Sequence, residues 1–286
     1  MPPQANPAEY PFRSRWLPLE DGALHYLDEG SGLPVLMLHG NPTWSFLYRN
    51  VIQGLWRDFR CVAPDYPGFG HSRAPRGFGF TPQEHASAIG RLLDRLGLDP
   101  YILLCHDWGG PIGISAALPR PDKVAGLVLC NTWCWPPDAR ARLFSWVMGG
   151  PAGRLLNLRF NFFARVVVPA GIKTRVARSR SVLQAYAQRF PAPADRLGTY
   201  VFPRMIRKAA PWLRETRQRL PGLADTPAEL VWGMRDPVFG RQPSIERWIS
   251  HFPQAGLDLV PYAGHYVPED APERLIQAVR RVAGRL

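Results

Sequence analysis

The sequence predicts an α/β fold with a mostly parallel eight-stranded sheet, helices on both faces and an inserted helical cap. Short apolar runs alternate with helical stretches, which is typical of a parallel sheet covered on both faces. The 286 residues, 46% of them hydrophobic, are enough for one large core with an insertion. Between residues 134 and 220 the strand pattern disappears, and arginine-rich helical pieces interrupted by prolines replace it.

We predict an antiparallel start at residues 15–19 and 24–28. Six further strands are predicted at 35–39, 59–63, 101–105, 125–130, 228–232 and 256–260. Residues 1–133 and 221–286 would then form the core domain. Residues 134–220, called the inserted segment below, would form a helical cap domain.

The segment LLCHDWGGPIG, residues 103–113, carries the most specific signal. An apolar run ends at Cys105, and a helical stretch begins after Gly109 and Gly110, so Asp107 lies on a tight strand-to-helix turn. Aspartate is also a favoured helix N-cap, which is the simpler interpretation of Asp107 alone. The functional interpretation is a nucleophile at the apex of the turn.

An aspartate nucleophile indicates a particular chemistry. A serine that attacked a saturated carbon would form an ether, which histidine and water could not cleave. A carboxylate forms an ester instead, and activated water can hydrolyse the ester carbonyl. Asp107 therefore favours alkyl transfer over cleavage of peptides or lipid esters.

Three further features follow predicted strands in an order that supports catalysis. His39-Gly40-Asn41-Pro42 follows the strand at 35–39, Asp236 follows the strand at 228–232, and His265 follows the strand at 256–260. An Asp-Pro pair is often only a turn, and a lone histidine is often structural. Together, however, they give the chain order nucleophile, acid, histidine, which is that of α/β-hydrolases.

Several separated motifs extend the resemblance to nearly the whole chain, which is similar to the haloalkane dehalogenase family and its α/β-hydrolase fold. The motifs are HGNPTWSFLYR, PDYPGFGHS, HDWGGPIG, YAQRFPAPADRLGTYVFPRMI, GMRDPVFG and AGHYVPEDAPE. The resemblance implies Asp107 as nucleophile, His265 as general base and Asp236 as the acid that orients the histidine. It implies Asn41 and Trp108 as the halide-binding pair, with no metal or cofactor.

Members of that family carry the catalytic acid after either the sixth or the seventh strand. Here the sixth strand runs into Asn131, and the next carboxylate is Asp138, so the sequence favours Asp236. The resemblance is therefore to the branch with an Asp-His-Asp triad and an Asn-Trp halide pair. For the oxyanion of the second step we select Asn41 and Trp108 as donors, because Pro42 has no N–H.

The implied reaction converts a small halogenated hydrocarbon and water into an alcohol, halide and a proton. An epoxide hydrolase is the nearest alternative, since it shares the aspartyl ester and needs phenol donors such as Tyr186 and Tyr200 of the inserted segment. A non-catalytic binding module is a third interpretation, although no part of the catalytic set is missing. Assembly into homo-oligomers stays open.

Charge is concentrated in the inserted segment. It contains 15 arginines and 2 lysines against 3 carboxylates, a net charge of +14, whereas the whole chain carries +12. Such a surface could bind nucleic acid or an anionic membrane, or form an oligomer contact. The simpler interpretation is a solvated face, and we expect neither a nucleic-acid nor a membrane partner.

The remaining expectations concern location and the pocket. Four cysteines lack metal-ligand spacing and are expected to be buried free thiols, and no signal peptide or membrane span is recognisable, which favours the cytoplasm. We expect the apolar residues of the inserted segment to roof the pocket, although many of them could simply pack between helices: Phe144, Trp146, Phe160, Phe162, Phe163, 166–168 and Phe202.

Overall fold

A computed structural model describes residues 8–240 and 242–286. They form one eight-stranded sheet in the order β1-β2-β4-β3-β5-β6-β7-β8. The strands are β1 (Arg15–Leu19), β2 (Gly22–Glu29), β3 (Pro34–Leu38), β4 (Arg60–Pro64), β5 (Tyr101–Asp107), β6 (Val124–Thr132), β7 (Ala228–Gly233) and β8 (Gly256–Val260). All eight predicted strands are confirmed.

The direction of pairing also agrees with the sequence. β2 runs antiparallel to both β1 and β4, and the remaining pairs are parallel. Parallel neighbours need a long crossover, and helices supply it between these strands. The carboxyl ends of β3, β5, β6 and β7 therefore meet at one edge of the sheet, where α/β proteins bind ligands.

Among the described residues, twelve α-helices surround the sheet or lie in the insertion. They are α1 (Arg49–Leu55), α2 (Pro82–Leu96), α3 (Gly109–Ala117), α4 (Ala139–Met148), α5 (Pro151–Phe160), α6 (Val168–Gly171), α7 (Arg180–Ala187), α8 (Leu197–Lys208), α9 (Ala210–Arg219), α10 (Gln242–His251), α11 (Val267–Asp270) and α12 (Pro272–Ala283). Local sequence explains several boundaries. Before α2, Thr81 and Glu84 form a capping box, and the helix ends at Gly97 in the left-handed conformation.

The hydrophobic core lies on both faces of the sheet. In β5, Leu103 and Cys105 pack into one cluster, whereas Ile102 and Leu104 pack into the other. Because both faces are covered, the strand reads as a continuous apolar run rather than an alternating one. The four cysteines are buried and free, as expected from the sequence.

The inserted segment contains helices and no strand in the structure. Helix α8 packs against α4 and α5, and it carries Pro203 in its interior. The prolines of the inserted segment were expected to interrupt its helices, but α8 continues through Pro203 to Lys208. Within the described part of the chain, no helix is long and apolar enough to cross a membrane.

Candidate active site

Asp107 occupies a strained turn between β5 and α3. Its φ angle is 51°, in the left-handed region that non-glycine residues rarely adopt. Side chains at Gly109 or Gly110 would collide with the Leu38 carbonyl and with Thr132, respectively, so the turn requires these glycines. The Thr132 hydroxyl donates to the Asp107 carbonyl at 2.5 Å and fixes the turn from the neighbouring strand.

Two main-chain amides point at the Asp107 carboxylate. The Asn41 N–H donates to Asp107 Oδ1 at 2.8 Å, and the Trp108 N–H also bonds to the carboxylate. Burial raises the pKa of Asp107, although His265 and the two amides oppose the shift. The residues predicted as oxyanion donors therefore converge on the predicted nucleophile.

His265 lies between the two aspartates of the predicted triad. Its Nε2 is 3.6 Å from Asp107 Oδ2, and its Nδ1 is 2.8 Å from Asp236 Oδ2. Burial lowers the pKa of His265, but the Asp236 and Asp107 carboxylates outweigh it, and the pKa is raised. Burial also opposes ionisation of Asp236, yet His265 and its other donors keep the pKa of this carboxyl lowered.

Asn131 holds Asp236 in place, a role that the sequence analysis missed. The Asn131 amide donates to Asp236 Oδ2 at 2.8 Å and to the Gly233 carbonyl at 3.1 Å. Its oxygen accepts the Gly233 N–H at 2.7 Å, so the side chain bridges β6 and β7. Asn131 is fully buried with a φ of 38°. Asn131 lies near the end of β6, where some members of the family that the sequence resembles carry the catalytic acid. That position is the signal from which its role could have been predicted.

The histidine loop is fixed from two sides. The main-chain carbonyl of His265 lies 2.8 Å from Nε2 of His106. The main-chain N–H of His265 donates to the Gly171 carbonyl of α6 at 3.1 Å. Burial lowers the pKa of His106 well below its usual value, with a further contribution from His265. A neutral His106 is therefore the donor to this carbonyl, and the inserted segment contributes directly to the position of the loop.

The side chain of Asn41 is held by a carbonyl oxygen of α8 that a proline leaves without its usual helical donor. Asn41 Nδ2 donates to the Thr199 carbonyl of α8 at 3.2 Å. In an unbroken helix the N–H of residue 203 would occupy that carbonyl, but Pro203 has no N–H. An amide nitrogen carries two hydrogens, so one is left for a ligand.

Aromatic rings enclose the site. The Trp108 ring stacks on Phe202 of α8, with centroids 4.9 Å apart, and meets Trp133 at 4.8 Å. Phe239 stacks against His265 at 5.8 Å. Of the apolar residues expected to roof the pocket, Phe202 lies against Trp108 at the site.

Other members of that predicted roof do not. Phe144, Trp146, Phe160 and Val166 are exposed on the outside of the inserted segment, so the expectation was wrong for them. Hydrophobicity alone did not reveal which face of each short helix is covered. Phe163 and Val168 are buried within the protein.

The two tyrosines weighed for an epoxide hydrolase have other partners. The Tyr186 hydroxyl donates to the buried carboxylate of Glu269, which also pairs with Arg49 at 2.6 Å. The Tyr200 hydroxyl donates to the Gly149 carbonyl at 3.2 Å. Neither phenol is a free donor, which argues against the epoxide interpretation.

Comparison with known proteins agrees with this geometry. Residues 34–272 match the family described as alpha/beta hydrolase fold. The chain is 45% identical over 276 residues to haloalkane dehalogenase 2 of Mycobacterium tuberculosis (strain ATCC 25618 / H37Rv), covering 96% of each. It is 33% identical to the cis-3-alkyl-4-alkyloxetan-2-one decarboxylase of Shewanella oneidensis, over 94% of this chain and 88% of that one.

A solved structure gives the same fold. The crystal structure of haloalkane dehalogenase DbeA from Bradyrhizobium elkani USDA94 aligns with a TM-score of 0.86 at 23% identity, covering 96% of this chain and 98% of that one. At this identity the likeness supports the fold, and the curated relatives support the family. The chain therefore belongs to the haloalkane dehalogenase family of the α/β-hydrolase fold.

Proposed function

We propose that this protein is a haloalkane dehalogenase that hydrolyses the carbon–halogen bond of small haloalkanes through a covalent ester on Asp107. The observation that carries the proposal is the position of His265, 3.6 Å from Asp107 and 2.8 Å from Asp236. That arrangement suits a histidine that activates water beside an aspartyl ester.

In the first step an Asp107 carboxylate oxygen attacks the carbon that bears the halogen. The new C–O bond forms as the carbon–halogen bond breaks, and the electron pair leaves with the halide. An anion in an apolar pocket needs donors that already point at it. We assign that role to the Asn41 amide and the Trp108 indole, which are neutral and therefore release halide more readily than an arginine would.

In the second step water hydrolyses the ester. His265 removes a proton from the water, the hydroxide attacks the Asp107 carbonyl carbon, and the oxyanion is stabilised by the main-chain amides of Asn41 and Trp108. The bond from this carbon to the alkyl oxygen then breaks, and the leaving alkoxide takes the proton of the new carboxyl group. The alcohol departs, Asp107 is a carboxylate again, and His265 gives its proton to solvent. Asp236 stabilises the imidazolium that forms, and Asn131 keeps Asp236 oriented.

We further propose that the inserted segment, residues 134–220, acts as a cap over this site. The support is the contact of Phe202 with Trp108 and the bond from Asn41 to Thr199, which join α8 to the reaction centre. We retain the cytoplasm as the proposed location, in keeping with four cysteines that are all unpaired.

Halide release tests the proposal. Purified protein should release bromide from 1-bromobutane and 1,2-dibromoethane and leave styrene oxide unopened, whereas Asp107→Asn should release none. An Asp258→Asn variant is a matched control, because Asp258 is buried and ion-paired to Arg274 elsewhere. Opening of the epoxide without bromide release would refute the assignment.

A second candidate function comes from the oxetanone decarboxylase relatives. Two of these, from Shewanella oneidensis and Xanthomonas campestris, are 33% and 34% identical to this chain over nearly its whole length. Asp107 would attack the saturated ring carbon that is bonded to the ring oxygen. That carbon–oxygen bond would break and free a carboxylate, which takes the place of the halide. Loss of CO₂ would then expel Asp107 and leave an alkene. Measuring CO₂ from a cis-3,4-dialkyl oxetan-2-one beside bromide release decides between the two activities.

A further inference from the structure

The outer face of the inserted segment is unusual for a solvated surface. Within α4 and α5, a set of large apolar side chains is exposed: Leu143, Phe144, Trp146, Val147, Leu155, Leu156 and Phe160. Leu143 is 66% exposed, and Trp146 and Leu155 are each 62% exposed. The two helices pack together through the Gly149–Gly150 turn, so these side chains belong to one hairpin. Isolated exposed apolar residues are normal, but a group of this size marks an interaction surface.

Arginines are interleaved with these apolar residues. Residues 139–160 contain four arginines and no carboxylate. The Arg207 guanidinium, from α8, lies 3.9 Å from the Trp146 ring centroid, and Arg159 lies 5.5 Å from the ring of Phe160. The surface is therefore both apolar and cationic. We call the exposed residues of α4 and α5 the hairpin face.

We propose that the hairpin face binds the surface of an anionic membrane. Exposed Trp, Phe and Leu beside Arg is the composition of helices that lie in the lipid headgroup region, where rings and aliphatic chains bury and guanidinium groups meet phosphates. This departs from the expectation of no membrane partner. That expectation rested on the charge and on the lack of a recognisable membrane span, since the sequence did not reveal which apolar residues of the inserted segment stay uncovered.

Charge argues against a second copy of the chain as the occupant. Pairing two hairpin faces would bring together two segments of +14 each, and the rest of the chain has a net charge close to zero. Nucleic acid would pair with the arginines, but it would leave Leu143 and Leu155 without a partner. An anionic bilayer offers acyl chains to the apolar side chains and phosphates to the arginines.

Membrane docking also fits the chemistry of the site, a point that rests on the proposed function. Haloalkanes and dialkyl lactones are lipophilic and concentrate in bilayers. The inserted segment carries the hairpin face outside and Phe202 against Trp108 inside. Docking would therefore hold the inserted segment, and with it the side of the reaction centre that Phe202 contacts, close to the phase that contains the substrate.

Co-sedimentation of the full-length chain with vesicles tests the inference. The vesicles contain phosphatidylcholine alone or mixed with phosphatidylglycerol. We expect binding to the mixed vesicles that weakens as salt rises. The double variant Trp146→Ser, Leu155→Ser should bind about tenfold or more weakly, because two apolar side chains no longer insert. Arg154→Gln with Arg159→Gln should lower affinity by about thirtyfold, since each arginine near an anionic surface contributes.

Matched controls lie on the core domain. Trp56 is 45% exposed with Arg57 over its ring, and Arg91 is exposed on α2. Trp56→Ser and Arg91→Gln should change vesicle binding less than about twofold. All variants should keep bromide release in vesicle-free buffer near the wild-type rate, which checks their fold separately from docking.

Four results would overturn the inference. The first is no binding to mixed vesicles at low salt, and the second is equal binding to vesicles without phosphatidylglycerol. The third is self-association that the hairpin-face variants abolish without any vesicle binding, which would assign the face to a second copy. The fourth is binding of duplex DNA in place of vesicles. Each result is independent of whether the protein releases bromide.

Discussion

Replacing Asp236 with asparagine should separate the two chemical steps. The first step uses the Asp107 carboxylate and the halide donors but not His265, whereas the second creates an imidazolium at His265. Asp236 is the carboxylate at the far side of that ring, 2.8 Å from Nδ1. Asp236→Asn keeps the shape of the side chain but removes its charge, so formation of the alkyl ester should proceed and its hydrolysis should stall.

The magnitude follows from the geometry. Opposite charges about 4 Å apart attract by about 4 kcal/mol at the effective dielectric constant of a protein site. Each 1.36 kcal/mol corresponds to a factor of about ten in rate. The hydrolysis step should therefore slow by about a thousandfold.

Bromide release after rapid mixing with 1-bromobutane measures both steps. The variant should give a burst of one bromide per enzyme, followed by a steady state near a thousandth of the wild-type rate. Asp258→Asn should behave as wild type. A steady-state loss under about tenfold, or a burst that is lost together with turnover, would refute the role given to Asp236.

Four other predictions concern separate parts of the site. The steady-state rate should fall at acid pH with an apparent pKa above that of free histidine, because His265 must be neutral for ester hydrolysis and Asp236 raises its pKa. Asp236→Asn should move this limb to lower pH, and an unmoved limb would contradict the assignment. Trp108→Phe should weaken chloride inhibition by about tenfold through loss of the indole N–H to an anion, whereas unchanged inhibition would remove Trp108 from the halide site. Pro203→Ala should restore an N–H to the Thr199 carbonyl, displace the Asn41 amide and weaken chloride inhibition by about threefold to tenfold, while thermal melting shows the helix unharmed; equal inhibition would mean that Asn41 needs no such anchor. Tyr186→Phe should destabilise the fold by about 1–3 kcal/mol in denaturant unfolding, because Glu269 loses a buried donor, without slowing bromide release from folded protein; a slowed reaction would return Tyr186 to the chemistry.

The sheet and the reacting groups were predictable because their signals are local. β5 reads as a continuous apolar run because both faces are covered, and Asp107 stands at a tight turn that leaves no room for a side chain at Gly109 or Gly110. Asp236 and His265 each follow a strand, and parallel strands bring their carboxyl ends to one edge. The places of these three residues after their strands were therefore enough to predict that their side chains lie close together.

The supporting contacts were not predictable, since they join residues far apart in sequence. Asn131 reaches Asp236 across 105 positions, and Asn41 reaches Thr199 across 158. The sequence showed Asn131 only as the absence of a carboxylate, and Pro203 only as a helix breaker. Likewise, the buried side chains of α4 are Ser145 and Met148 alone, so composition could not show which side of the helix is covered.

Trapping the covalent intermediate is the most direct test of the mechanism. His265→Ala should react once with 1-bromobutane, release one bromide and then stop, because nothing activates water. Mass spectrometry should find one butyl group added to the peptide that contains Asp107. An unmodified peptide together with continued bromide release would contradict the account, and so would a butyl group on any other residue.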